Sequence, residues 1–170
     1  LLPPRQPSPE ASPLPPRRPA ILGGGHPAVG TDRPMPYLQL VYASRPFGFD
    51  AATLLSILFK ARARNAETDV TGCLICRDDI YLQLLEGPAD SVTCIYNNIL
   101  QDDRHVEVTQ LVRHGVPERM FGNWAMRDDP VRSWMWSREQ IDAGVVNEAK
   151  PEEVLAIFHR LAKDATDAED

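Results

Sequence analysis

The sequence predicts an α+β fold, a ferredoxin-like sandwich whose elements follow in the order βαββαββ. Three observations support this fold. Apolar residues alternate along four short segments, as expected of strands with one face in a core. Two stretches between these segments carry apolar residues at helical spacing. A further apolar stripe near the C-terminus can cover the sheet face that the two helices leave open.

The first half of the pattern covers residues 37–87. Residues 37–44 alternate as a strand, with Leu38, Leu40 and Tyr42 on one face. Residues 51–64 contain neither Gly nor Pro and predict a helix, with Asp50 as its N-cap. Residues 70–77 and 80–87 predict a hairpin, which turns at two aspartates and ends at a Gly-Pro pair.

The second half completes the sandwich. Residues 92–100 have the spacing of an amphipathic helix, residues 106–112 alternate as a fourth strand, and residues 122–127 predict a short fifth strand. Within residues 137–170, Ser137 and Gln140 have the spacing of a capping box. The apolar stripe that follows should cover the second face of the sheet; it consists of Val154, Leu155, Phe158, Leu161 and Ala162.

The N-terminal segment differs in composition from the rest. Residues 1–36 hold eleven of the 16 prolines and a run of three glycines, so we expect them to be disordered. They are either a proline-rich docking tail or an extension upstream of the true start, which would then lie at Met35. The chain thus divides into this segment, a domain over residues 37–130 and a helical extension over residues 131–170.

Charge and composition narrow the function classes. A net charge of -6 argues against nucleic acid or an anionic membrane as a partner, and no apolar run has the length of a membrane span, so we expect a cytoplasmic protein. Cys73 and Cys76 are three residues apart in a strand and should face opposite sides of the sheet. We therefore expect reduced cysteines and no metal site.

The amide of Gln83 stands out within the third strand. It shares a face with Tyr81 and Leu85, while Ile80, Leu82 and Leu84 face the other way. A buried amide without partners costs about 1–3 kcal/mol, so Gln83 must be bonded to protein, to water or to a ligand. Taken alone, Gln83 is expected to be a satisfied core glutamine or an edge residue facing solvent. Tyr42 alone would be a core tyrosine, and Asn65 alone a helix C-cap.

Six short motifs, taken together, favour a functional role for these residues over the structural interpretations. They are Tyr42-Ala43-Ser44, Ala61-Arg62-Ala63-Arg64-Asn65, Val70-Thr71-Gly72, Leu82-Gln83-Leu84-Leu85-Glu86-Gly87, Asp103-Arg104-His105 and Phe121-Gly122-Asn123-Trp124-Ala125-Met126. In this order, across residues 37–127, they closely resemble the BLUF domain, a family that senses blue light with bound FAD. The resemblance implies a photoreceptor rather than an enzyme.

The resemblance also implies a role for individual residues. FAD would bind non-covalently, with its isoalloxazine between the two helices. Tyr42 would be the electron and proton donor, and Gln83 the amide that bridges the tyrosine and the flavin. Trp124 and Met126, on one face of the fifth strand, would relay the signal. The residues that it places at the cofactor are Asn65, Ser44, Ile57, Arg64, Arg104 and His105.

Two other classes of function remain open at this point. A sandwich without flavin could be an interaction module that binds a partner protein through its acidic C-terminal helix. A small hydrolase of the same fold has thin support, because the sequence shows neither a phosphate loop nor a paired nucleophile and base. A photoreceptor of this length would signal through a separate, unknown protein or through its own homo-oligomer.

Overall fold

The computed structural model describes residues 34–169. The expected disorder of residues 1–36 falls outside the described residues, except for the last three. The described strands are β1 (Tyr37–Pro46), β2 (Thr71–Arg77), β3 (Ile80–Gly87), β4 (His105–Val116) and β5 (Arg127–Pro130). The helices are α1 (Ala51–Glu67), α2 (Ala89–Leu100), α3 (Arg138–Asp142), α4 (Val145–Glu148) and α5 (Pro151–Glu169).

The five strands form one mixed sheet in the order β4-β1-β3-β2-β5. All neighbouring pairs are antiparallel except β2 and β5, which run parallel. Strand β1 lies between β3 and β4, so most of its residues pair on both sides. This confirms the predicted α+β sandwich and places Tyr42 of β1 directly opposite Gln83 of β3.

Helices α1 and α2 cover one face of the sheet, here called the first face. Asp50 caps α1 as predicted, since its carboxylate accepts a hydrogen bond from the backbone N–H of Thr53 at 2.7 Å. The core beneath the helices contains Tyr42, Tyr81 and Leu85, as the alternation of β1 and β3 predicts. Its helical side chains include Ile57, Leu58, Val92, Ile95 and Ile99.

Helices α3 to α5 cover the opposite, second face. Ser137 and Gln140 form the predicted capping box at the start of α3. The stripe of α5 buries Val154, Phe158 and Leu161 completely, and each large apolar side chain removed from water contributes about 1.5–3 kcal/mol. Across residues 34–169, none of the helices has both the length and the apolar content needed to cross a bilayer.

The fifth strand lies later in the chain than predicted. Residues 122–126 form no strand, and β5 begins at Arg127. The carbonyls of residues 124–126 accept hydrogen bonds from one backbone N–H and two side chains of other elements, instead of a regular ladder. We call residues 121–126 the crossing segment, because its side chains reach both faces of the sheet.

Gly72 of β2 allows β3 to approach closely. A Cβ atom at this position would lie 2.0 Å from the carbonyl oxygen of Leu84, which is backbone and cannot turn away. We expect Gly72→Ala to lower the free energy of unfolding by about 2–3 kcal/mol, as overpacking does elsewhere. Denaturant titration measures this loss. Gly122→Ala is the control, because its nearest neighbour would lie at 3.8 Å, and equal stability losses in the two variants would contradict the packing argument.

Candidate functional site

A buried hydrogen-bonded chain crosses the first face of the sheet. Tyr42 is fully buried and Gln83 is 5% exposed. The Tyr42 hydroxyl donates a short hydrogen bond to Oε1 of Gln83. Nε2 of Gln83 in turn donates to the Met126 sulfur at 3.3 Å. Two strands and the crossing segment thus meet at a single carboxamide.

The phenol of Tyr42 is held in its neutral form. Burial raises the pKa of Tyr42 far above its usual range, and the Arg64 guanidinium opposes this only in part. A neutral phenol keeps its proton available for the bond to Gln83. The site therefore combines an oxidisable group with an acceptor already in place for its proton.

Asn65 lies on the buried side of α1 and is fully buried. It does not act as the C-cap that its position in the sequence suggested, because α1 continues to Glu67 and Thr68 is the cap residue. Nδ2 of Asn65 donates to the carbonyl of Ala125 at 2.8 Å. The side chain therefore joins α1 to the crossing segment.

Among the described residues, two buried polar atoms of consecutive residues on α1 lack a partner. Within residues 34–169, the buried side-chain nitrogens and oxygens without a hydrogen bond are Nε of Arg64 and Oδ1 of Asn65. Leaving such atoms unpaired costs about 1–3 kcal/mol each, so together they indicate a place for a polar ligand. Ile57 lies about two helical turns before them on α1 and is buried in the first-face core.

These residues fit a flavin. The pyrimidine edge of its ring system carries both N–H and carbonyl groups, which suit an unpaired amide oxygen and an unpaired guanidinium N–H. The flat apolar part of the ring suits aliphatic neighbours such as Ile57. The chain thus offers the polar and apolar groups that FAD requires, on one helix that packs over Tyr42 and Gln83.

Ser44 and His105 form a second buried pair beside Tyr42. Oγ of Ser44 lies 2.9 Å from Nδ1 of His105, and the imidazole lies edge-on to the Tyr42 ring with centroids 6.0 Å apart. Burial lowers the pKa of His105 to about 4; Asp102 opposes this effect and Arg104 adds to it. The imidazole is therefore neutral at physiological pH.

Arg104 is held by its neighbour in the turn before β4. Its guanidinium pairs with Asp102 at 2.5 Å, and this hydrogen bond lowers the pKa of Asp102 to about 2. The Arg104 side chain remains about one-third exposed. The positive charge of Arg104 is thus already balanced by Asp102.

Trp124 and Met126 do not share a face, contrary to the prediction. Met126 is buried in the first-face core against Gln83, whereas Trp124 packs against the core of the second face. Trp124 lies beside Phe121, with ring centroids 5.9 Å apart, and the Arg127 guanidinium covers its ring at 5.0 Å. The prediction was wrong because this stretch is not a strand, so alternation does not apply.

Two groups that shape the site have no role predicted from the sequence. Nε of Arg62 donates to the Met126 carbonyl at 3.0 Å, and the guanidinium pairs with Asp128 at 2.6 Å. The Ala125 carbonyl accepts from Asn65. Arg62 lies within a recognised motif and could have been singled out, but a backbone carbonyl leaves no trace in the sequence.

Sequence comparison relates this chain to known proteins. The family model "BLUF: Sensors of blue-light using FAD" matches residues 37–127. The blue light- and temperature-regulated antirepressor BluF of Escherichia coli K12 is 42% identical over 66 residues, which are 39% of this chain and 16% of that protein. Photoactivated adenylate cyclase subunit beta of Euglena gracilis is 35% identical over 85 residues, 49% of this chain and 10% of that protein. The chain thus matches under a fifth of the length of these curated relatives.

Solved structures show the same fold. The dark-state structure of BlrB, a BLUF protein, superposes with a TM-score of 0.63 at 24% identity and covers 75% of this chain and 96% of that one. The ground state of BlsA has a TM-score of 0.54 at 26% identity, over 67% of this chain and 74% of that one. The family match spans more than half of the sequence and contains every residue of the hydrogen-bonded chain. The chain therefore belongs to the BLUF family, the sensors of blue light that use FAD.

Proposed function

We propose that the chain Tyr42–Gln83–Met126 is the light-driven switch of this BLUF domain. One observation carries the proposal: the Gln83 amide accepts from Tyr42 through its oxygen and donates to Met126 through its nitrogen. A carboxamide can exchange these two roles by rotating, which no purely apolar contact can do. The switch is thus a change of hydrogen bonds around one side chain.

The cofactor residues proposed are those with unsatisfied or apolar groups on α1. Asn65 and Arg64 would bind the polar edge of the flavin through Oδ1 and Nε, and Ile57 would contact its apolar part. Ser44, His105 and Arg104 would complete the site on the side of β1 and β4. Bound FAD supplies the blue-light absorption and, once excited, a strong one-electron oxidant.

Tyr42 is the residue suited to give up that electron. Its phenol is neutral at physiological pH, as a tyrosine ordinarily is, and burial raises its pKa further. Removal of an electron makes the hydroxyl a strong acid. The existing hydrogen bond to Oε1 of Gln83 would carry that proton away from Tyr42 and return it when the electron comes back, so that no net charge remains on either side chain. Electron and proton thus leave one side chain, and no charged residue has to move.

Rotation of the Gln83 amide would break its contact with Met126. The Met126 thioether can accept a hydrogen bond but cannot donate one. If Oε1 replaced Nε2 beside the sulfur, two acceptors would face each other, and Met126 would have to shift. The Ala125 and Met126 carbonyls are bonded to Asn65 and Arg62, so a shift of Met126 also strains these bonds.

The output proposed is a change at the second face. Trp124 and Phe121 of the crossing segment lie there, and the Phe121 ring packs edge-on against Phe158 of α5 with centroids 6.3 Å apart. We propose that residues 37–130 sense light and that residues 131–170 transmit it, to a separate protein or to a second copy of the chain. In this proposal the domain signals and catalyses no reaction of its own.

The absorption spectrum of the purified protein tests the proposed function. We expect bound FAD and, after blue illumination, a reversible red shift of the flavin bands, because the hydrogen bonds around the cofactor change. Protein that stays colourless after reconstitution with FAD would support a flavin-free interaction module instead.

Replacing the Gln83 amide should abolish the light-induced red shift. We expect Gln83→Leu to keep FAD bound and to show no light-induced red shift, since leucine cannot exchange donor and acceptor. Absorbance difference spectra in light and dark measure this. The control is Gln110→Leu, an exposed glutamine opposite Tyr42 on β4, which should respond as wild type. A normal red shift in Gln83→Leu would remove Gln83 from the switch.

Removing the hydroxyl of Tyr42 should have the same result. We expect Tyr42→Phe to bind FAD and to form no red-shifted state, because the proton donor to Gln83 is missing. Tyr96→Phe is the matched control, as its ring lies 5.7 Å from that of Tyr42 in the same core. Transient absorption that still shows the full shift in Tyr42→Phe would contradict the assignment of the donor.

The buried imidazole of His105 should make stability depend on pH. Its pKa falls from 6.5 in the unfolded chain to about 4 in the folded protein, so between these values the unfolded state binds an extra proton. The free energy of unfolding should therefore drop as pH falls from 6.5 to 4, by about 3 kcal/mol at most.

Denaturant titrations of wild type and His105→Asn across this pH range isolate the effect. The stability difference between the two proteins should shrink as pH falls. The exposed His159→Asn variant should follow wild type. A difference between wild type and His105→Asn that stays constant with pH would show that His105 is not held neutral by burial.

A further inference from the structure

A buried carboxylate on the second face has no part in the switch described above. Glu86 is fully buried, three residues after Gln83 on β3 and on the opposite face. One of its oxygens accepts a short hydrogen bond from the backbone N–H of Phe121, and the other accepts from Nε2 of Gln39 at 3.1 Å. Oε1 of Gln39 lies 2.7 Å from Nε2 of His114 on β4.

The position of this carboxylate makes its bond to Phe121 a firm one. A carboxylate removed from water is stable only if its oxygens are paired, and bonds to a charged acceptor are stronger than those between neutral groups. Both donors of Glu86 within the described residues are themselves buried or nearly so. The backbone at Phe121 is therefore tied to the centre of the sheet.

Glu86 thus holds one end of the crossing segment, while the switch touches the other end. The Trp124 carbonyl accepts from the Gly72 N–H at 3.1 Å, which ties the middle of the segment to β2. Met126 contacts Gln83 on the first face, and Phe121 contacts Phe158 of α5 on the second. A segment fixed in this way can pass a displacement from one face to the other, whereas a loose segment would absorb it.

We propose that Glu86 is a positioning residue for signal output: by anchoring Phe121, it makes a shift of Met126 reach α5. This inference rests on the proposed switch at Gln83, but it concerns a different step. Photochemistry at Tyr42 and Gln83 does not need Glu86, and transmission to α5 does.

Two substitutions distinguish the effect of the hydrogen bond to Phe121 from the effect of the volume that the Glu86 side chain fills. Glu86→Met has a similar volume and offers no oxygen to the Phe121 N–H. Glu86→Gln keeps one carbonyl oxygen for Phe121 and turns a donor towards Gln39. Gln39 can accept that donor if its own amide flips, which presents its Nε2 to His114. Glu86→Gln is therefore the conservative variant that should restore the anchor.

Amide hydrogen exchange measured by NMR is the test, with absorbance recorded on the same FAD-loaded samples. In the dark, Glu86→Met should speed exchange at the Phe121 amide at least about tenfold, the loss expected for a bond to a charged acceptor. Under blue light, wild type and Glu86→Gln should show altered exchange in α5. Glu86→Met should show the red shift but no light-induced change in α5. Val112→Ala, in the second-face core on edge strand β4, controls for a general loss of stability and should behave as wild type in light.

Each outcome decides the proposal. A light-induced change in α5 that persists in Glu86→Met would overturn it, and so would loss of the red shift in that variant alone, since Glu86 would then act at the switch. If Glu86→Met does not fold, wild type still decides: a Phe121 amide that exchanges as fast as an exposed loop amide would show that no anchor exists. If wild type gives no red shift, the proposed switch fails, while the dark exchange at Phe121 in wild type and Glu86→Met still tests the anchor.

Discussion

The hydrogen bond between Tyr42 and Gln83 is the interaction on which the site depends. It joins the two central strands β1 and β3 at residues that face each other in the register, on the side covered by α1 and α2. Burial raises the pKa of the Tyr42 phenol, and the same burial forces the carboxamide to find partners within the core. The nitrogen of the carboxamide finds its partner in Met126, which directly precedes the edge strand β5.

The crossing segment connects this bond to the second face through its own contacts. It belongs to no helix or strand. Its carbonyls accept hydrogen bonds from Arg62, Asn65 and Gly72, and its Phe121 N–H donates to Glu86; these bonds fix it instead. Its side chains reach two cores that the sheet otherwise separates: Phe121 and Trp124 lie in the second-face core, and Met126 lies in the first-face core. A BLUF domain with this arrangement can keep its photochemistry on one face and its output on the other.

The sequence predicts the structural features that depend on local spacing of side chains. The faces of β3, the cap at Asp50, the capping box at Ser137 and the apolar stripe of α5 are all confirmed, because each follows from local spacing and side-chain chemistry. Where periodicity stops, the prediction fails. Trp124 and Met126 were placed on one strand face, although the segment is held by side chains distant in sequence. Asn65 was read alone as a cap, since the Ala125 carbonyl that it bonds is invisible in the sequence.

Light-minus-dark infrared spectroscopy of the FAD-loaded protein, with and without ¹³C-labelled glutamine, tests the central claim most directly. The account predicts a difference band of a side-chain carboxamide that shifts with the label and is missing in Gln83→Leu. A difference spectrum that contains flavin bands alone, unaffected by the label, would show that the amide of Gln83 does not rearrange.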